Sequence, residues 1–225
     1  MVYRKTVLCL ANSRKTAGRC IAGKEWNNGN PGGWFRPISS RATHEISEEE
    51  RRFQNGQDPQ LLDIVSIPCS KPQPSPYQGE NHLIDPEYYW EKIGSVGWSD
   101  LDRWLDHPAS LWNNGESSYA FLNNRVQEGY AGGISLSLVA VESLEVLVGP
   151  KSEQYPKRVV RGQFNYQGVP YRMSITDPAV ERSFLEKEDG PYVINNPRLC
   201  VSLGDPFQGY FYKLIAAVLF EGRFR

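Results

Sequence analysis

Alternation of apolar and polar residues between Ile134 and Val148 is the feature that most restricts how this chain can fold. The aliphatic members are Val139, Val141, Leu144 and Val146, set among Ser137, Glu142 and Glu145. Successive side chains of a strand point to opposite faces, so the pattern predicts a half-buried β-strand. The 12 % aromatic content, with 20 glycines and 16 prolines, favours short strands joined by turns. We therefore predict a mainly β protein with minor α.

The N-terminal segment predicts a compact β-meander. Residues 5–11 are an apolar run, residues 18–24 form a second strand, and Trp34–Ile38 return after a loop rich in Asn and Gly. In this last strand Trp34 and Arg36 share one face, so we place Phe35, which points the other way, in the core.

The next elements follow from capping and proline signals. Ser47 and Glu50 fit a capping box that opens a short helix. Residues 61–68 predict a strand, and we expect the proline-rich residues 71–76 to end it because proline cannot donate to a ladder. Residues 77–134 are interpreted as an irregular connector that contains one helix, starting at Ser99 or Asp100 and ending before Pro108.

A second β unit is predicted from residue 134 onward. Gln167–Gly168 fit the turn of a hairpin, and Asp177 followed by Pro178 fits the N-cap and first residue of a helix. Residues 199–203 and 210–220 predict two final strands. The chain is thus divided into an N-terminal unit over residues 1–133 and a C-terminal unit over residues 134–225.

Charge is unevenly distributed along a chain of net charge −1. Residues 1–41 contain eight Lys and Arg side chains and only one acid, Glu25. This excess indicates a local anion-binding face, although pairing with acids from later segments is the alternative.

The candidate ligand-binding residues combine positive charge with aromatic rings, as a groove for single-stranded nucleic acid requires. In the first unit they are Arg14, Lys15, Arg19, Trp34, Arg36 and Arg41, and in the second unit they are Tyr212 and Lys213. Four of these residues have a specific structural alternative: Trp34 packs half-buried, Arg36 bonds to nearby carbonyls or acids, Lys213 pairs with Asp177 or Asp205, and Tyr212 packs in the core. The polar loops at residues 77–82 and 112–118 are candidates for lining a cleft.

Metal and cofactor sites are not predicted. Cys9, Cys20, Cys69 and Cys200 are scattered without any C-x-x-C pair, and we interpret them as buried thiols. Three histidines are too few and too separated to complete a zinc site with them. The apolar run near the N-terminus is too short for a secretory signal, and no stretch is long enough to span a membrane, so we expect a cytoplasmic protein.

Several stretches of this chain resemble the bacterial dual OB-domain-containing proteins, in the same order and with similar spacing. They are residues 9–15, residues 18–23, Trp34–Arg41, residues 61–65, residues 199–207 and Tyr212–Val218. The resemblance implies two OB-like barrels in tandem, a fold that commonly binds oligonucleotides or oligosaccharides on one face. No catalytic residue is carried over from the family.

Our functional hypothesis is a module that binds single-stranded DNA or RNA, as an accessory of a bacterial defence or nucleic-acid-processing system. The alternatives are an enzyme acting on nucleotides or nucleic acid, with Asp63, Glu80, Asp85 and His82 as distant candidates, a sensor of a small anionic ligand, or a scaffold for partner proteins. Catalysis is the less favoured alternative because the chain lacks the P-loop, dinucleotide-binding, zinc-protease and nucleophile-elbow motifs.

Overall fold

The computed structural model describes residues 2–130, 132–152 and 155–223. Two compact units form, one from Met1–Trp104 with Ala131–Ser135, the other from Leu105–Tyr130 with Leu136–Arg225. Both are dominated by strands, which confirms the predicted mainly β fold of tandem OB-like units. No helix in the described ranges is long and apolar enough to cross a membrane.

The first unit is a closed five-stranded barrel with one added strand. Its elements are β1 (Tyr3–Lys15), β2 (Gly18–Asn27), β3 (Asn30–Ile38), α1 (Glu48–Arg51), β4 (Asp63–Pro72), β5 (Asn81–Ile84), β6 (Glu91–Ser95) and a 3₁₀ helix (Trp98–Trp104). The barrel order is β1-β2-β3-β5-β4, and β4 pairs again with β1 while β6 extends the other side of β4. Strands β3 and β5 are parallel, as in the OB topology.

The long strand β1 closes this barrel because it pairs with two neighbours. Tyr3–Leu8 pair with β4, and from Val7 onward the strand pairs with β2. Gly23 allows the close approach of β1 and β2, since a Cβ there would lie 2.0 Å from the Leu8 carbonyl oxygen. Phe35 is fully buried inside the barrel, as predicted, together with Val7, Ile21 and Ile67.

The second unit repeats the arrangement with an interrupted first strand. Its elements are β7 (Arg125–Gln127), β8 (Leu136–Ala140), β9 (Ser143–Ser152), β10 (Tyr155–Tyr166), β11 (Val169–Ile175), α2 (Pro178–Leu185), β12 (Gly190–Asn195), β13 (Arg198–Phe207) and β14 (Tyr210–Leu219). The sheet order is β12-β9-β10-β11-β14-β13-β8, with β7 on β14 and with β11 and β14 parallel. Only Val141 and Glu142 separate β8, which pairs with β13, from β9, which pairs with β10. Together β8 and β9 therefore take the place that β1 has in the first unit.

Local signals predicted the helix starts and the hairpin correctly. Ser47 and Glu50 form the full capping box of α1, and Asp177 caps α2 with Pro178 as its first residue. Gln167 and Gly168 both have positive φ, the conformation of a type I′ hairpin turn. The connector helix is present but is a 3₁₀ helix that begins at Trp98, one or two residues before the predicted start.

Two predictions were wrong. Strand β4 does not stop before the proline-rich tract but runs to Pro72, because Lys71 and Pro72 pair with β5. The supposed irregular connector contains β5 itself, the strand that completes the first barrel.

The division of the chain also differs from the boundary after residue 133 that we expected. Residues 105–130 belong with the second unit because Leu122 exchanges backbone hydrogen bonds with Arg172 and β7 pairs with β14. The first unit instead takes in Ser135, whose hydroxyl accepts a hydrogen bond from Arg36.

Candidate nucleic-acid interface

Four of the five predicted basic residues of the first unit lie around the turn between β1 and β2, and Arg36 does not. Arg14 and Arg19 face each other across the hairpin, and Lys15 stands opposite Gly18. The backbone of Arg19 also exchanges two hydrogen bonds of 2.9 Å with Ile46, in the segment that follows Arg41. We call Arg14, Lys15, Arg19 and Arg41 the basic turn.

Acidic neighbours neutralise part of the basic turn. The pKa of Glu45 is lowered, mainly because the Thr43 hydroxyl donates to its carboxylate and further because Arg41 and Lys15 carry positive charge nearby. Arg41 also forms an ion pair of 3.3 Å with Glu50. Arg14 is exposed, whereas Lys15 and Arg19 are half-buried.

Trp34 lies on an outer face of the first barrel, and the 3₁₀ helix that ends at Trp104 packs on this face. The Lys24 ammonium lies 5.4 Å from the centre of the Trp34 ring and donates to the backbone oxygen of Trp104 at 2.7 Å. The Trp104 ring stacks on Trp26, with centroids 5.3 Å apart and planes 7° apart. We call Lys24, Trp26 and Trp34 the tryptophan face; sequence reasoning missed Lys24 and Trp26, which carry no motif.

Arg36 is buried and bonded within the first unit. Its guanidinium donates to Glu80 Oε1 at 3.3 Å, to Ser135 Oγ at 2.6 Å and to Cys20 Sγ at 2.9 Å. Ser135 donates in turn to Glu80. These contacts match the alternative in which Arg36 bonds to nearby acids, and they give it the role of holding residues 80 and 135 on the barrel.

Lys213 points into the second unit and is 1 % exposed. Its Nζ donates to the Asn113 carbonyl at 2.7 Å and to Asn114 Oδ1 at 3.0 Å, and it lies 5.2 Å from the centre of the Tyr171 ring. Burial lowers the pKa of Lys213 to about 7. The loop at residues 112–118 therefore provides the hydrogen-bond acceptors for the buried Lys213 amine.

Lys213 does not pair with Asp177 or Asp205; its Nζ donates to these two neutral oxygens instead. Asp177 is buried at the N-terminus of α2, where Arg223 Nη1 approaches Asp177 Oδ2 to 2.6 Å. Asp205 is exposed near the end of β13.

Tyr212 lies on an aromatic surface at the hairpin between β13 and β14. Phe207 is 61 % exposed and its ring centroid lies 6.3 Å from that of Tyr212. The Arg125 guanidinium lies 3.8 Å above the Tyr210 ring and pairs with Glu116 at 3.5 Å. We call Phe207, Tyr210, Tyr212 and Arg125 the aromatic hairpin.

Phe207 and Arg125 were missed by sequence reasoning. The turn residues Gln208 and Gly209 could have indicated that Phe207 stands at a hairpin tip, because a short turn with Gly joins antiparallel strands. Arg125 becomes part of the surface only through the pairing of β7 with β14, which no local pattern shows.

A cleft of about 600 Å³ lies elsewhere on the second unit. Its polar lining includes Glu142, Glu145, Gln163 and Asn165. Carboxylates repel phosphate, so this cleft is unsuited to a nucleic-acid backbone.

The described residues contain no group of three or more His, Cys, Asp or Glu side chains able to hold a metal ion. Three of the four distant catalytic candidates make other contacts. Glu80 binds Arg36, Asp63 pairs with Lys92 at 2.5 Å, and His82 Nδ1 lies 2.6 Å from the Tyr3 hydroxyl. None of the four cysteines is in a disulfide; Cys9, Cys69 and Cys200 are buried, and Cys20 is half-buried.

Both units thus place three barrel strands, a helix and two further barrel strands in the order typical of an OB barrel, with β8 and β9 together counted as the first strand of the second unit. In both units the third and fifth barrel strands are parallel. A family model for a dual OB-containing domain matches residues 5–218. The chain belongs to this dual OB-containing family. Its membership covers both units and supports a fold of the type that binds oligonucleotides. No curated protein and no solved structure matches the chain significantly.

Proposed function

We propose that this dual OB-containing protein binds single-stranded DNA or RNA, and that it does so as an accessory of a bacterial defence or nucleic-acid-processing system. The observation that carries the proposal is the aromatic hairpin. It joins a largely exposed Phe207 ring, the neighbouring Tyr212 ring and a guanidinium stacked on Tyr210. The hairpin connects the fourth and fifth barrel strands of the second unit, and this is one of the loops with which OB folds bind oligonucleotides.

Unpaired bases stack on exposed aromatic rings, each contact contributing about 1 to 3 kcal/mol. Phe207 and Tyr212 supply such rings, and Arg125 supplies a cation near Tyr210 that can contact a phosphate. Because every base has an aromatic face, this arrangement favours single strands with little sequence preference.

The basic turn supplies a second element of the proposal. Arg14, Lys15 and Arg19 surround the loop between the first two strands, which is the other loop that OB folds use. Cations there neutralise phosphates and make affinity fall as salt rises. Arg36 and Lys213 are buried and support the two barrels from within. Trp34 is half-buried on the outer face of the first barrel and belongs to neither of these two ligand-binding surfaces.

The test is fluorescence anisotropy of labelled single-stranded DNA and RNA of about 20 nucleotides, titrated at two salt concentrations. We compare the wild type, a Phe207→Ala/Tyr212→Ala variant and an Arg14→Ala/Lys15→Ala/Arg19→Ala variant. A matched variant, Lys71→Ala/Lys157→Ala/Arg182→Ala, removes three exposed cations elsewhere.

We expect the aromatic variant to weaken binding about tenfold or more through lost stacking. The basic-turn variant should weaken binding and flatten the salt dependence, and the matched variant should do so much less. Absence of binding by the wild type at low salt would exclude the proposed function.

A further inference from the structure

The tryptophan face of the first unit occupies the position from which OB barrels bind ligands, the outer surface of the second and third strands. Lys24 and Trp26 come from β2 and Trp34 comes from β3. The face combines two indole rings with an ammonium group, the same chemistry that binds a base and its phosphate elsewhere. In this structure, however, the 3₁₀ helix covers it.

The covering residue, Trp104, makes the contacts that a nucleotide would make. Its ring lies flat on Trp26, with the planes 7° apart, as a stacked base would lie. Its backbone oxygen accepts a hydrogen bond of 2.7 Å from Lys24, where a phosphate oxygen would accept one. Trp104 is only 1 % exposed, so the ring surface that it covers is closed to solvent.

The covering element is of a kind that can be displaced. A 3₁₀ helix has poorer hydrogen-bond geometry than an α-helix and is used in short pieces. Leu101 is fully buried and anchors the helix, while Trp104 is the last residue of the helix and of this part of the first unit. Release of Trp104 would therefore open only the end of this helix, with Leu101 still buried.

We propose that the tryptophan face is a second binding site for an unpaired base and its adjoining phosphate, and that Trp104 occupies this site as an internal mimic until a nucleic-acid strand displaces it. This inference rests on the proposed function of single-strand binding. It adds a site in the first unit that is distinct from the basic turn and from the aromatic hairpin. Trp104 and an incoming base exclude each other, because both rings stack on the same surface of Trp26.

The test measures the affinity of Trp104→Ala for the labelled single strand by fluorescence anisotropy. Removal of the mimic should tighten binding about tenfold, which is within the range of one stacked base. A Trp26→Ala/Trp104→Ala double variant should lose this gain, because the base then has no Trp26 ring on which to stack. Trp90→Ala is the matched control, since Trp90 is equally buried but lies in the core of the same unit.

A Trp104→Leu variant retains buried apolar volume without a ring and gives the same readout if Trp104→Ala fails to fold. Folded Trp104 variants with unchanged or weaker affinity would overturn the inference, as would an equal gain in Trp90→Ala. If the wild type binds and the Trp104 variants gain nothing, this inference alone fails. If only the Trp104 variants bind, the inference stands and the proposed function of the closed protein fails.

Discussion

Replacement of Lys213 by methionine should stabilise the second unit at acidic and neutral pH and remove a pH dependence that the wild type shows. Burial lowers the pKa of Lys213 to about 7 from an ordinary value of 10.5. In the unfolded chain the amine keeps its proton up to its ordinary pKa, so between these two values the unfolded state binds more protons. Stability therefore rises with pH in this window and is lowest below the folded pKa.

The magnitude follows from the same shift. A difference of about 3.5 pKa units corresponds to about 5 kcal/mol, at about 1.4 kcal/mol per unit. This is an upper bound, because the Asn113 and Asn114 oxygens favour the charged amine. Methionine removes the buried charge at the loss of two hydrogen bonds of about 1 kcal/mol each, which leaves a net gain of about 3 kcal/mol at about pH 6.

Urea unfolding of both proteins from about pH 6 to about pH 9.5 measures this directly. The free energy of unfolding of Lys213→Met exceeds that of the wild type by an amount that should shrink by about 3 kcal/mol across that range. The other titrating groups are the same in both proteins and cancel in this difference. A Lys187→Met variant is the control, since that lysine is exposed beside Phe184. A difference in stability between Lys213→Met and the wild type that stays constant with pH would refute the reasoning.

Three further predictions concern the folded core, and urea unfolding checks each of them. Glu80→Gln should lower the free energy of unfolding by about 3 to 5 kcal/mol because it leaves the buried Arg36 guanidinium uncompensated. Its control is Glu91→Gln, at a largely exposed pair with Arg4, which should lower the free energy of unfolding by less than about 1 kcal/mol. Gly23→Ala should destabilise by about 3 kcal/mol or more, since its Cβ would overlap the Leu8 carbonyl, and Gly33→Ala, where a Cβ has open space, is its control. Asp177→Ala should cost at least about 2 kcal/mol through loss of the α2 cap and of the Arg223 partner; a cost below about 0.5 kcal/mol would contradict this account.

The sequence predicted those features whose causes are local. The capping box of α1, the Asp177 cap and the Gln167–Gly168 turn each depend on residues within four positions of one another, so they were read directly. Burial of Phe35 followed from alternation along one strand. Strand β5 was missed because it has only four residues, follows a proline-rich tract and shows no alternation.

The candidate site was harder because its contacts are distant in sequence. Arg36 meets Glu80 and Ser135 across 44 and 99 positions, and Lys213 meets Asn113 across 100. Sequence alone marks Arg36 and Lys213 as cations in strands but cannot show whether such a cation faces an internal oxygen or a ligand. The proximity of Arg14, Lys15 and Arg19 could be predicted, because a hairpin places its own sequence neighbours side by side.

The salt dependence of single-strand binding tests the central claim most directly. The logarithm of the association constant for a labelled single strand, plotted against the logarithm of salt concentration, should fall linearly, by about 0.7 for each phosphate neutralised. Loss of Arg14, Lys15 and Arg19 should reduce that slope by about 2 if all three contact phosphates. Binding with the predicted slope, weakened in this variant and in Phe207→Ala/Tyr212→Ala, is the result that the account predicts. No measurable binding at low salt, or a slope that neither variant changes, would contradict it.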